Sequence, residues 1–141
     1  MVKKYEFLEH KADVLYKAYG RSFEEALENA ALALFNTIAK VEKLKKNKRI
    51  EIEERAKIPE ELVAFVLSDL LSQAEINELF LKEFEVKEFS KKGGKIWLKG
   101  LAYGEEMTPD KGKTYVKAVT LHETKVEEKE GKWMIRVLLD I

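Results

Sequence analysis

The 141-residue chain predicts an α+β domain, two helices packed on a largely antiparallel β-sheet, and three observations carry that reading. Residues 23–38 and 59–74 repeat apolar side chains at intervals of three and four, the spacing of a buried helix face. The segments around them alternate apolar and charged residues, the period of a strand with one face covered. From Phe84 onward, turn signals at Gly93-Gly94 and Glu130-Gly131 separate further alternating runs, which read as hairpins. One hydrophobic core suits this length, and no repeat or low-complexity stretch marks a boundary, so 1–141 reads as a single domain.

Taken in order, Lys3 to Leu8 alternates and suits a half-buried strand. Val14 to Tyr19 is a second strand, stopped by Gly20. Ser22 is a helix N-cap, with Glu24 and Glu25 in the first turn opposing the helix dipole, and Glu25 at capping-box distance. Ala26, Leu27, Ala30, Ala31, Leu34, Phe35 and Ile38 then form one apolar face, and its alanines allow close packing on a sheet. Lys40 to Arg49 is a lysine-rich connection, and its cluster Lys43, Lys45, Lys46, Lys48 and Arg49 reads as a solvated loop ahead of an RNA contact, given the neutral total. Ile50 to Glu53 alternates as a short strand. Pro59 in a first turn, followed by Glu60 and Glu61, opens the second helix. Leu62, Val63, Phe65, Val66, Leu70, Leu71 and Ala74 give it a heavy apolar face, and Asp69 is placed on its polar side. Ala74 to Leu81 reads as either a helical extension or a structured turn. Phe84 to Phe89 and Lys95 to Tyr103 pair about Gly93-Gly94; Tyr115 to His122, Lys125 to Glu128 and Trp133 to Leu139 supply the remaining strands. The loop from Gly104 to Lys113 is longer than a tight hairpin needs, a length often tied to function.

Composition excludes several classes of function. The chain has no cysteine, so no disulfide, thiol nucleophile or thiolate metal site exists, and a metal would be held by oxygen or imidazole. Basic and acidic residues balance at 26 each, which argues against a free-standing nucleic-acid binder. The start of the chain lacks a signal peptide's apolar core, and no run reaches membrane-spanning length, so a cytoplasmic protein with no membrane partner is expected. Charged residues make up 37% of the chain, rich in lysine and glutamate as in heat-adapted proteins. No phosphate-binding glycine loop, nucleophile elbow or paired-histidine zinc motif appears.

Two places draw attention chemically. Glu9-His10-Lys11-Ala12-Asp13 sets an imidazole and two carboxylates between apolar segments, in a chain whose other histidine is His122. At the far end, Val137-Leu138-Leu139-Asp140-Ile141 finishes a strand with a carboxylate beside the terminal one. If the two end strands neighbour each other, Asp13 and Asp140 meet. Like charges brought that close need a shared proton or a cation, and a hard cation with several oxygen ligands is the natural compensator.

Glu9-His10-Lys11-Ala12-Asp13 resembles the Glu-His-Thr-Ala-Asp signature of the archease family, with lysine in place of threonine. The resemblance extends over nearly the whole chain, through Tyr19-Gly20, Ser22 to Ala31, Gly104-Glu105, Val116 to His122 and the Leu139-Asp140-Ile141 ending. It implies a small, non-catalytic cofactor of the tRNA-splicing RNA ligase, promoting guanylation of that ligase and its multiple turnover, with tRNA as an indirect partner. A chaperone or modulator of a tRNA or DNA methyltransferase is the alternative the family suggests. Carried over residue by residue, Asp13 and Asp140, joined by an oxygen of Ile141, match the family's acidic metal site, and calcium suits such a site best. His10, Lys117, Thr120 and His122 are supporting or partner-contact residues: His10 orients the Asp13 loop or is structural, Lys117 meets a partner or a phosphate, and His122 stands behind the site. Strand alternation puts Thr120 and His122 on one face and Lys117 on the other, so a shared pocket requires a bulge. Two departures stand out. Lys11 adds a cation beside the site, and the Pro109 to Gly112 loop lacks a histidine common there in the family. A metal-dependent hydrolase using Asp13 and Asp140 is a third reading, without a convincing general base.

Overall fold

The computed structural model describes residues 3–9 and 12–141; the expectations for His10 and Lys11 fall outside them. In chain order the strands are β1 (Tyr5–Leu8), β2 (Asp13–Gly20), β3 (Lys48–Ala56), β4 (Leu79–Lys92), β5 (Lys95–Glu106), β6 (Ala118–Lys129) and β7 (Lys132–Asp140), with α1 (Phe23–Ile38) after β2 and α2 (Pro59–Ile76) after β3.

Both helices form where the apolar spacing places them. The Ser22 hydroxyl accepts the Glu25 N–H at 3.0 Å, the N-cap expected of it, a contact whose loss costs about 1 kcal/mol in typical helices. The Glu25 carboxylate returns the gesture one residue early, accepting from Arg21 N–H at 2.8 Å rather than from Ser22. At the start of α2 no side chain caps the helix; Pro59 simply lacks one of the N–H groups a helix start leaves unpaired.

The strands are antiparallel throughout, as expected, but they divide between two sheets: four strands in the order β1-β2-β7-β6 and three in the order β3-β5-β4. The helices pack against both, α1 on β2, β7 and β4, and α2 on β6 and β3. The reason lies in α2, where Leu62, Val63, Ala64, Val66, Leu67, Leu70, Leu71 and Ala74 are all buried. An apolar surface that wraps most of a helix needs cover on two sides, and one sheet covers only one. Fully buried Tyr16 ties β2 to α1, its hydroxyl donating to Ala30 O at 2.7 Å, and burial pushes its phenol well above the ordinary value.

Several strand limits differ from the sequence reading. β3 runs nine residues rather than four, because its charged outward positions alternate as regularly as its apolar ones. Expected to start near Phe84, β4 begins at Leu79, after Asn77 closes α2 and Glu78 turns through a left-handed conformation (φ 54°). Its alternation is broken by register shifts between Leu81 and Glu83 and between Val86 and Glu88, which hid its first half. At the first shift Gly104 lies against the β4 backbone, and a β-carbon there would overlap the Phe80 carbonyl oxygen. β6 starts at Ala118 rather than Tyr115 and runs to Lys129, one strand where two were expected. No helix among the described residues is long and apolar enough to cross a membrane.

Candidate functional site

Because β2 and β7 are antiparallel neighbours, the first residue of one faces the last residue of the other. Asp13 is the direct cross-strand partner of Asp140, and Ala118 of β6 is the partner of Asp140 on its other side. Val14, Leu139 and Val119, one residue along, turn toward the helical core, so the aspartates share the opposite face at the end of the sheet. Both are half-buried. Directly opposed side chains on neighbouring strands have Cβ atoms about 4.5–5.5 Å apart. The end strands are therefore neighbours, the condition on which the meeting of Asp13 and Asp140 rested. Lys117 N–H donates to the Asp140 carbonyl at 2.8 Å, fixing the end of β7, and partly exposed Ile141 follows it.

Strand alternation does not carry from Thr120 to His122. From Thr120 to Lys125 β6 advances five residues while β7 advances two, from Leu138 to Arg136, so a bulge interrupts the alternation. Glu123 sits in it at φ 76°, held by Arg136, whose Nε donates to Glu123 O and whose Nη2 meets Glu123 Oε2, each at 3.0 Å. The Thr120 hydroxyl lies 2.7 Å from His122 O and 3.3 Å from Leu138 O, while the Thr124 hydroxyl donates to Thr120 O at 2.9 Å. Thr120 thus clamps the bulge. The His122 ring is 89% exposed, with Nε2 3.5 Å from Glu123 Oε1, and lies within the bulge. The Lys117 side chain is exposed just outside β6.

The donor set fits a hard cation. Two carboxylates face each other, and oxygen ligands are what calcium or magnesium takes. Among the described residues no group of three or more His, Cys, Asp or Glu side chains gathers around a common point. Calcium uses six to eight oxygens; most of them would come from main-chain oxygens, water or a partner.

Two features escaped the sequence reading. A cleft of about 540 Å³ opens between the C-terminal halves of α1 and α2, the start of β4 and residues 107–116, lined by Ile38, Leu71, Ala74, Phe80, Met107 and Tyr115 among others. Tyr115 is 69% exposed on its rim. The length of the 104–113 loop was its only signal. Asp69 is the second feature. It does not face water alone but meets Glu54, an inward position of β3; burial first, then the bond to Asp69 and its charge, push Glu54 up to about 7. Strand alternation in 50–56 places Glu54 inward, and only the packing of α2 on β3 reveals its partner.

Comparison with known proteins settles the lineage. Residues 5–141 match the Archease protein family (MTH1598/TM1083). The chain belongs to the archease family. It is 40% identical over 143 residues to the archease of Pyrococcus furiosus, covering 99% of this chain and all of that protein, and 39% identical over 141 residues to the archease of Methanosarcina mazei, covering 99% and 97%. The archease fold described above is similar to the solution structure of protein 1598 of Methanobacterium thermoautotrophicum, with a TM-score of 0.86, 30% identity and coverage of 99% and 100%. It also resembles a Thermotoga maritima crystal structure described as an archease and possible chaperone, with a TM-score of 0.62 over 95% and 94% of the two chains; at 20% identity that likeness speaks for the fold alone.

Proposed function

We propose that this archease is a non-catalytic, cytoplasmic activator of the tRNA-splicing RNA ligase, acting through the aspartate pair. The observation that carries the reading is the register of β2 and β7, which holds Asp13 opposite Asp140 at one end of the four-stranded sheet. Two carboxylates at one register position supply the oxygen ligands that a hard divalent cation takes. The two carboxylates, with an oxygen of Ile141, would hold calcium or another hard divalent cation at the surface offered to the ligase. When bound, such a cation neutralises charge developing on phosphate oxygens. The chain's own residues keep the carboxylates in place: Lys117 N–H fixes β7, and the Thr120–Arg136 bulge holds β6 beside it. Guanylation and repeated turnover of the ligase on broken tRNA are the expected outputs.

The test is ligation of broken tRNA at substrate excess by the cognate ligase, with this protein or its Asp13→Ala variant. Multiple turnover with the unmodified protein and none with the variant supports the reading. Equal turnover with a folded Asp13→Ala protein refutes it. A second reading, a chaperone or modulator of a tRNA or DNA methyltransferase, draws on the open apolar cleft; it expects suppression of methyltransferase aggregation without any ligase.

A further inference from the structure

Charge is balanced over the whole chain but not locally. On the outward side of the three-stranded sheet, Arg55 pairs with Glu53, Lys87 with Glu85 and Lys99 with Glu51. Residues 40–49 and 109–113 are different, with eight basic against two acidic side chains. Their backbones are joined. Ala39 bridges Gly112, Lys40 N–H donates to Lys111 O, and Lys113 N–H donates to Ile38 O. Glu105 braces the same junction, accepting from Lys45 N–H at 2.9 Å and from Lys111 Nζ at 3.0 Å; the Lys45 N–H first, then Lys111, hold its carboxyl below the usual range, so it stays charged.

Within this rim Lys46 is neutralised by Glu83 and Lys111 by Glu105. Among the described residues, Lys40, Lys43, Lys45, Lys48, Lys82 and Lys113 make no ion pair. Three of these rest their ammonium groups on main-chain carbonyls: Lys40 on Asp110, Lys82 on Val41 and Lys113 on Asn36. A carbonyl orients an ammonium without cancelling its charge. Beside Lys113, two residues along, stands the exposed ring of Tyr115. From Lys113 the chain reaches Lys117, whose N–H holds Asp140; four residues span at most about 14 Å, so the rim begins within that reach of the residue beside the aspartate pair.

We propose that this lysine rim, with Tyr115, binds the phosphate backbone of single-stranded RNA alongside the aspartate pair. The proposal rests on the ligase reading, which supplies the RNA. Flexible ammonium groups without a pocket suit contacts to phosphates regardless of sequence, and an exposed aromatic gives a base a face to stack on. A lysine rim alone also suits an acidic protein, but the aromatic beside it favours nucleic acid.

Fluorescence anisotropy of a labelled single-stranded RNA, titrated with the protein in the absence of ligase, tests this. If three lysines each neutralise a phosphate, log affinity falls against log salt with a slope of about −2. Lys43→Glu, Lys45→Glu and Lys48→Glu together should flatten that slope and abolish binding, Tyr115→Ala should weaken it, and Lys87→Glu with Lys99→Glu should leave it unchanged. Guanylation of the ligase without RNA, read in parallel, should survive the rim variants. Absence of salt-dependent RNA binding, or equal loss with the sheet-face variants, overturns the proposal while leaving the ligase reading intact if guanylation is still promoted. Loss of guanylation in the rim variants with RNA binding unchanged makes the rim a protein contact, which overturns it too. RNA binding in a protein that never promotes guanylation separates the two in the other direction.

Discussion

Along the outward face of the three-stranded sheet, Glu51 meets Lys99, Glu53 meets Arg55 and the Trp97 indole N–H, and Glu85 meets Lys87. At the end of the four-stranded sheet, Asp13 stands opposite Asp140. The first surface satisfies itself with opposite charges, each exposed pair worth roughly 0–1 kcal/mol. The second sets like charges against each other, which lowers stability by a similar amount when nothing lies between them. Charged side chains thus serve two arrangements: one sheet face pairs opposite charges across its strands, and the other brings two carboxylates to one register position.

Replacement in the opposed pair is the sharpest way to break this contrast. Asp13→Ala should reduce ligase turnover to that of the ligase alone, read at substrate excess, while circular dichroism shows the fold retained. Metal dependence follows: millimolar calcium should raise the melting temperature of the unmodified protein and not that of Asp140→Asn, measured by thermal denaturation.

A second carboxyl pair sharpens the contrast further, because Glu54 and Asp69 share a proton. Glu54 is pushed to about 7 from an ordinary value of 4.5, so between those values the folded state holds a proton that the unfolded chain has lost. Stability supplied by that proton is present in full below about 4.5 and falls as pH rises through 7. Urea denaturation at intervals from pH 5 to 8 should show this decline, and Glu54→Gln, which keeps the hydrogen bond without the ionisation, should flatten it. Removing the α1 cap with Ser22→Ala should cost about 1 kcal/mol by the same method. At the small end, Lys99→Ala on the self-paired face should change stability by no more than about 0.5 kcal/mol and leave ligase turnover unaltered.

Much of this was legible in the residues. Ser22, Pro59 and the apolar spacing placed both helices because capping and burial are local or periodic signals. Gly93-Gly94 and Glu130-Gly131 placed the hairpins because their left-handed backbones are demanded by tight turns. The division into two sheets was not legible, since alternation says that a face is covered and not by which helix. The start of β4 and the irregular course of β6 after Thr120 were hidden by bulges, which break the period that the reading depends on. The meeting of Asp13 with Asp140 followed from supposing that the end strands neighbour each other, and the register bears that supposition out. The lysine rim was half visible: residues 40–49 are basic on inspection, but their junction with residues 109–113 exists only in the fold.

The most direct measurement is ligase turnover on broken tRNA with Asp140→Asn and Lys99→Ala compared side by side, both confirmed folded, at one calcium concentration. The account predicts loss of multiple turnover with Asp140→Asn and full turnover with Lys99→Ala. Full turnover with Asp140→Asn would contradict it, and would mean that the opposed aspartates are not where this protein acts.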